Sequence, residues 1–153
     1  MSRSLWMLVS GLALSLALTA AGPGVKAEFI GGTLSGVPAK SDARIDLTGA
    51  EALTFQCHGA DLRIDYLRIN TVEYGQTVNR RYAAAILVSP VLLLSKSHKH
   101  FITLGYADAE GRQQALVFRV NKGDIRGVLA ALEARTGRRV EYQDADARKA
   151  GKG

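Results

Sequence analysis

From residue 43 onward the apolar positions recur mostly every second residue, the period of a half-buried strand. Ala43 to Leu47 forms a short extended piece closed by Thr48-Gly49. Leu53, Phe55 and Cys57 alternate with polar neighbours, His58-Gly59-Ala60-Asp61 supplies a turn, and Leu62, Ile64 and Tyr66 alternate with Arg63 and Asp65. These two runs predict an antiparallel hairpin. Leu67-Arg68-Ile69 leads into Val72-Glu73-Tyr74, and Gly75 stops the run. A second hairpin is predicted from Phe101–Tyr106 and Leu116/Phe118/Val120, with Asp108 opening its turn and Gly111 supplying a positive φ. Between residues 121 and 137 the period changes to that of a helix. Ile125, Val128, Leu129 and Leu132 form one apolar stripe, Asp124 is placed to cap the start, and Gly137 is placed to close the end. Gly127 weakens this helix by about 1 kcal/mol relative to Ala, so a close contact is expected there. Arg139–Tyr142 reads as a short extended piece, and residues 143–153 as a flexible polar tail.

The first 27 residues stand apart from this pattern. Arg3 precedes an almost unbroken apolar run from Leu5 to Ala21, followed by small residues, as in a secretory signal peptide. Two sites fit the small-x-small cleavage rule, Thr19-Ala20-Ala21 and Val25-Lys26-Ala27. Cleavage after Ala27 is favoured because Gly22-Pro23-Gly24 ends any helix upstream of it. Retention as a membrane anchor is the alternative, since the apolar run is close to the minimum length for a spanning helix. No cysteine stands where a lipoprotein needs one. The expected location is periplasmic or otherwise extracytoplasmic.

At 153 residues, with 47% hydrophobic and 22% charged residues, the chain is long enough for one folded domain. Its single cysteine excludes an internal disulfide. In step with Leu53 and Phe55, Cys57 is expected to be a buried, inert thiol. The organisation predicted is a signal peptide over 1–27, a linker or irregular segment over 28–42 that includes Gly31-Gly32 and Gly36, a mainly β domain over 43–142, and the tail. Many antiparallel strands followed by one amphipathic helix suggest a curved sheet or partly open barrel with the helix plugging one end. The net charge of +6 falls by two when Arg3 and Lys26 leave with the leader. No aromatic platform accompanies the basic residues, so nucleic acid is not an expected partner.

The most informative constellation is an apolar segment between cations. Residues 82–94 are flanked by Arg80-Arg81 on one side and by Lys96, His98, Lys99 and His100 on the other. As a helix this run reaches about 20 Å, short of the roughly 30 Å hydrocarbon core of a bilayer. Either it packs on the domain, or it docks on a membrane or partner through Ile86, Leu87, Val91, Leu92 and Leu93 while Arg80, Arg81, Lys96 and Lys99 meet anionic groups. His98 and His100 on one strand would share a face and, with Cys57 or His58, could contribute to a metal site, but the set falls short of four good ligands. No Gly-x-Ser-x-Gly elbow surrounds Ser89 or Ser95, and no phosphate-binding glycine loop lies between a strand and a helix. Asp61, Asp65 and Glu73 alternate with apolar residues and are expected to face water. The sequence therefore predicts neither an enzyme nor a cofactor.

Leu62-Arg63-Ile64-Asp65-Tyr66 with Ile69…Val72-Glu73-Tyr74-Gly75, the segment Lys96–Tyr106, and Val117–Val120 followed by Leu129…Leu132-Glu133-Ala134-Arg135-Thr136-Gly137 resemble bacterial pleckstrin-homology-like (PH-like) domains of exported proteins of unknown function. The likeness covers roughly residues 45–142. It implies an antiparallel barrel of about seven strands with a capping C-terminal helix and no catalytic residues. It also implies binding of lipid head groups, peptides or proteins. The apolar segment 82–94 departs from an ordinary barrel of this kind. Thr136–Tyr142 also resembles the end of small secretin-associated domains, which would make the chain a protein-contact component of an envelope secretion or assembly complex. The expected partner is thus an anionic membrane surface or an envelope protein.

Overall fold

The computed structural model describes residues 24–75 and 100–152. Most of the leader, the apolar segment 82–94 and the candidate residues Arg80, Arg81, Lys96, His98 and Lys99 lie outside the described residues. Eight strands form one sheet: β1 (Val25–Gly32), β2 (Ser41–Asp46), β3 (Ala52–Cys57), β4 (Ala60–Asp65), β5 (Ile69–Gly75), β6 (Phe101–Ala107), β7 (Gln113–Val120) and β8 (Glu141–Tyr142). Two helices follow β7, α1 (Ile125–Thr136) and α2 (Ala145–Lys152), on either side of β8. The strand order is β4-β3-β2-β1-β7-β6-β5-β8, antiparallel throughout except for the parallel β5–β8 pair.

This order forces the sheet to curl. β4 and β5 follow each other through a single 3-10 turn, Tyr66–Arg68, yet five strands separate them in the sheet. So short a connection reaches about 14 Å, whereas a flat sheet would hold the two strands roughly 29 Å apart. The curl is the curved sheet that the strand pattern suggests, and it does not close into the full barrel that the PH-like resemblance implies. β5 gives part of its outer edge to β8 at Glu73–Tyr74, and among the described residues β4 pairs only with β3.

Alternation puts Phe29, Phe55 and Phe118 on the concave side. The Phe55 ring lies 6.3 Å from that of Phe29 and 5.6 Å from that of Phe118, in tilted contacts suited to aromatic quadrupoles. Ile125, Val128, Leu129 and Leu132 of α1 are all buried against this core, as the helical stripe predicts. Cys57 is buried on the same side, and desolvation pushes its thiol pKa up, so the protonated, unreactive form is favoured.

Three segments differ from the sequence expectation. Residues 28–42, expected to be linker, contain most of β1 and the start of β2. Gly31 and Gly32 are strand residues paired with β7, and at Gly32 the approach is close: a Cβ there would stand 2.5 Å from the Ala115 carbonyl oxygen. A bulge between Phe29 and Gly31 breaks the alternation that would have advertised the strand. The expected flexible tail contains α2. Asp144 Oδ1 accepts a 2.6 Å hydrogen bond from the Ala147 N–H, and the helix docks through two small residues, Ala147 and Gly151, both buried. Small contact residues leave no apolar stripe for a pattern to reveal. Asp124 precedes α1 but makes no side-chain cap, since its own backbone is already in the helical region at φ −94° and ψ −16°.

At the other end of α1, Gly137 closes the helix with φ 67° and donates its N–H to the Glu133 carbonyl. No close contact explains Gly127, which is exposed and has nothing within 4 Å of the position a Cβ would take. Gly127→Ala should therefore stabilise the fold by about 0.5–1 kcal/mol. Urea unfolding should show a higher midpoint at an unchanged slope; a lower midpoint would mean that the glycine serves a contact of another kind.

Candidate functional site

Glu28 of β1 lies between Asp42 of β2 and Arg119 of β7 in the strand register. Arg119 Nη2 donates to Glu28 Oε2 in a partly buried ion pair. Two residues earlier on β1, Lys26 shares the face of Glu28. Lys122 follows β7 in the turn before α1. These side chains and His100 line an open cleft of about 620 Å³. The pairing of Arg119 with Glu28 leaves Lys26 and Lys122 as its cations without an ion pair among the described residues.

His100 ties this cleft to the segment singled out by the sequence. The connection between β5 and β6 leaves the sheet after Gly75 and returns at Phe101, and those two residues pair directly. His100, the last residue of that connection, stacks on Tyr74 with ring centroids 5.3 Å apart and an interplanar angle of 18°. Tyr142 meets the Tyr74 ring edge-on at 6.2 Å, and Lys152 Nζ lies 5.5 Å from the centre of the Tyr142 ring. The tail thus packs beside Tyr74 and His100, where the chain returns to the sheet.

Glu73, expected to face water, is only 5% exposed. Its Oε1 accepts a 2.7 Å hydrogen bond from Gln143 Nε2, while the Gln143 N–H donates to the Tyr74 carbonyl. The Gln143 side chain occupies the space a Cβ would take on Gly75, so only glycine at 75 admits this lock. Burial of Glu73 by a polar tail residue is a long-range effect that strand periodicity does not report.

Of the proposed binding residues, Arg80, Arg81, Lys96 and Lys99, and of the proposed docking residues, Ile86, Leu87, Val91, Leu92 and Leu93, none falls within the described residues. His98 lies outside them too, and His100 sits against Tyr74 rather than beside Cys57 or His58. Among the described residues no group of three or more His, Cys, Asp or Glu side chains is arranged to hold a metal ion. None of the described helices is long and apolar enough to cross a membrane. Sequence reasoning missed Lys26, Glu28, Arg119, Lys122, Tyr74 and His100 as neighbours. The Lys26–Glu28 alternation was a local signal, but it fell in the segment assigned to leader and linker. No protein-family model, curated protein or solved structure matches the chain.

Tyr74 is fully buried, and its Oη has no hydrogen-bond partner among the described residues. Desolvation, reinforced by Tyr142, pushes its pKa up to about 12. The unfolded phenol releases its proton near pH 10, so between pH 10 and 12 the native state binds more protons and stability falls as pH rises. Tyr74→Phe should leave stability near neutral pH unchanged or raised, because no native hydrogen bond is lost. It should also remove part of the alkaline loss. Urea unfolding at pH 7, 9 and 11.5 checks both, and an equal alkaline loss in the variant would contradict the assignment.

Proposed function

We propose that the chain is a non-enzymatic, PH-like binding module of the bacterial cell envelope that engages an anionic membrane surface through residues 80–100. The observation that carries the reading is the paired exit and return of this segment at Gly75 and Phe101, beside a cleft containing Lys26 and Lys122. A sheet that fixes both ends of a basic–apolar–basic segment limits the entropy lost when that segment docks. Shallow insertion of the apolar residues with cations at the headgroup level follows the physics of interfacial segments. The seven antiparallel strands and α1 are the parts that the PH-like resemblance implies, and the edge strand β8 and helix α2 are additions to it.

Sedimentation of the full-length chain with anionic vesicles at low and high salt tests the membrane reading. Arg80, Arg81, Lys96 and Lys99 changed together to Glu should abolish binding while leaving the fold intact. Each cation near the surface contributes about 1 kcal/mol, so losing four weakens binding on the order of a thousandfold. Unchanged binding by the quadruple variant, or salt-insensitive binding to neutral vesicles, would reject it.

Export adds a second expectation. Ala27 pairs with Ala43 and Val120, so cleavage after Ala27 would remove Val25, Lys26 and Ala27 from β1. Cleavage after Ala21 leaves the strand whole. We expect N-terminal sequencing of the exported protein to begin at Gly22; a start at Glu28 would show that the domain does without the first turn of this ladder.

A further inference from the structure

β4 ends the sheet with its outer edge unpaired among the described residues. A cleft of about 550 Å³ separates Leu62–Asp65 from the β6–β7 turn, which reaches the end of β4 through the Arg68 Nη1–Asp108 carbonyl hydrogen bond and adds no strand to the edge. An open edge invites another strand unless something repels it. Charges of one sign would do so. β4 instead carries Asp61, Arg63 and Asp65 in alternation on its outer face, with Leu62 and Ile64 turned inward.

That alternation is self-complementary under a two-fold axis. If Leu62 of one copy stands opposite Leu62 of another in antiparallel pairing, each Arg63 faces Asp61 of the other copy, and each Ile64 faces Ala60. Asp65 stays free of the new pairs and keeps its ion pair with Arg68, at 3.3 Å. The neighbouring registers that conserve faces lie two residues away and set Arg63 against Arg63 in one direction or Asp61 against Asp61 in the other, which disfavours both. Arg63 makes no ion pair among the described residues, so it gains its partner without losing one. Leu67, 93% exposed, stands just past the end of β4, where the β3–β4 turn of the second copy would reach.

We infer that the protein forms a symmetric dimer by antiparallel β4–β4 pairing, in which two Asp61–Arg63 pairs fix the register. An isologous contact of this kind closes after two copies and leaves no free edge for further growth. The inference is independent of membrane binding.

Sedimentation equilibrium of the full-length chain without lipid, over a concentration series at low and high salt, reads the association. Wild type should dimerise, more weakly at high salt. Asp61→Arg and Arg63→Asp, each alone, set like charges across the axis and should each weaken self-association by about tenfold or more. Mixed one to one, the two variants restore both opposite-charge pairs and should form a heterodimer as stable as the wild-type dimer. Circular dichroism establishes that each variant is folded, and Asp61→Lys with Arg63→Glu replaces a pair that is not. A wild-type chain monomeric throughout the series, variants that self-associate as wild type does, or a mixture that stays monomeric would each overturn the inference.

Discussion

The structure depends on the pairing of its first strand with its last long one. β1 and β7 join two meanders, β1-β2-β3-β4 and β5-β6-β7, that otherwise share only chain connectivity and the concave core. Both faces of this joint are specified. Phe29 stands opposite Phe118 on the core side, close to Phe55, and Glu28 meets Arg119 on the other. Gly32 lets the backbones approach where the bulge re-aims β1. Bringing residues so distant in sequence together carries a loop-closure cost before any contact rewards it, a cost the local hairpins do not share.

The two meanders were legible in the sequence where their contacts are local. The Cys57-His58-Gly59-Ala60 turn has both central residues at positive φ, and the Asp108 turn is held by Asp108 Oδ1 accepting the N–H of Glu110 and of Arg112. The stripe of α1 was equally plain, because four large apolar residues at helical spacing have few other uses. What stayed hidden depends on partners far along the chain. β1 was obscured by a bulge and by glycines, of which Gly32 is set by the close approach of Ala115. α2 was obscured because its contact is made by Ala147 and Gly151. Glu73 looked like an ordinary outward strand residue until Gln143 covered it.

The candidate site shows the same division. The basic flanks and apolar run of residues 80–100 could be read directly, since composition is a local property. The side chains gathered with His100 in the cleft come from β1, β7 and the turn before α1, and only the β1–β7 register brings them together. Tyr74, His100 and Tyr142 then make an aromatic wall from three distant places in the chain. The C-terminal residues that complete this wall occupy part of the β5 edge, which among the described residues leaves the β4 edge without a strand partner.

Because Gly75 and Phe101 are neighbours in the ladder, the fold needs only that the chain between them leave and return at one point. The entropy of closing such a loop grows with the logarithm of its length, about 0.6 kcal/mol for each doubling. Insertions and replacements between β5 and β6 are therefore inexpensive for the sheet. Evolution can lengthen, shorten or rewrite this segment while the sheet that holds its two ends stays the same, so related chains can differ most between β5 and β6.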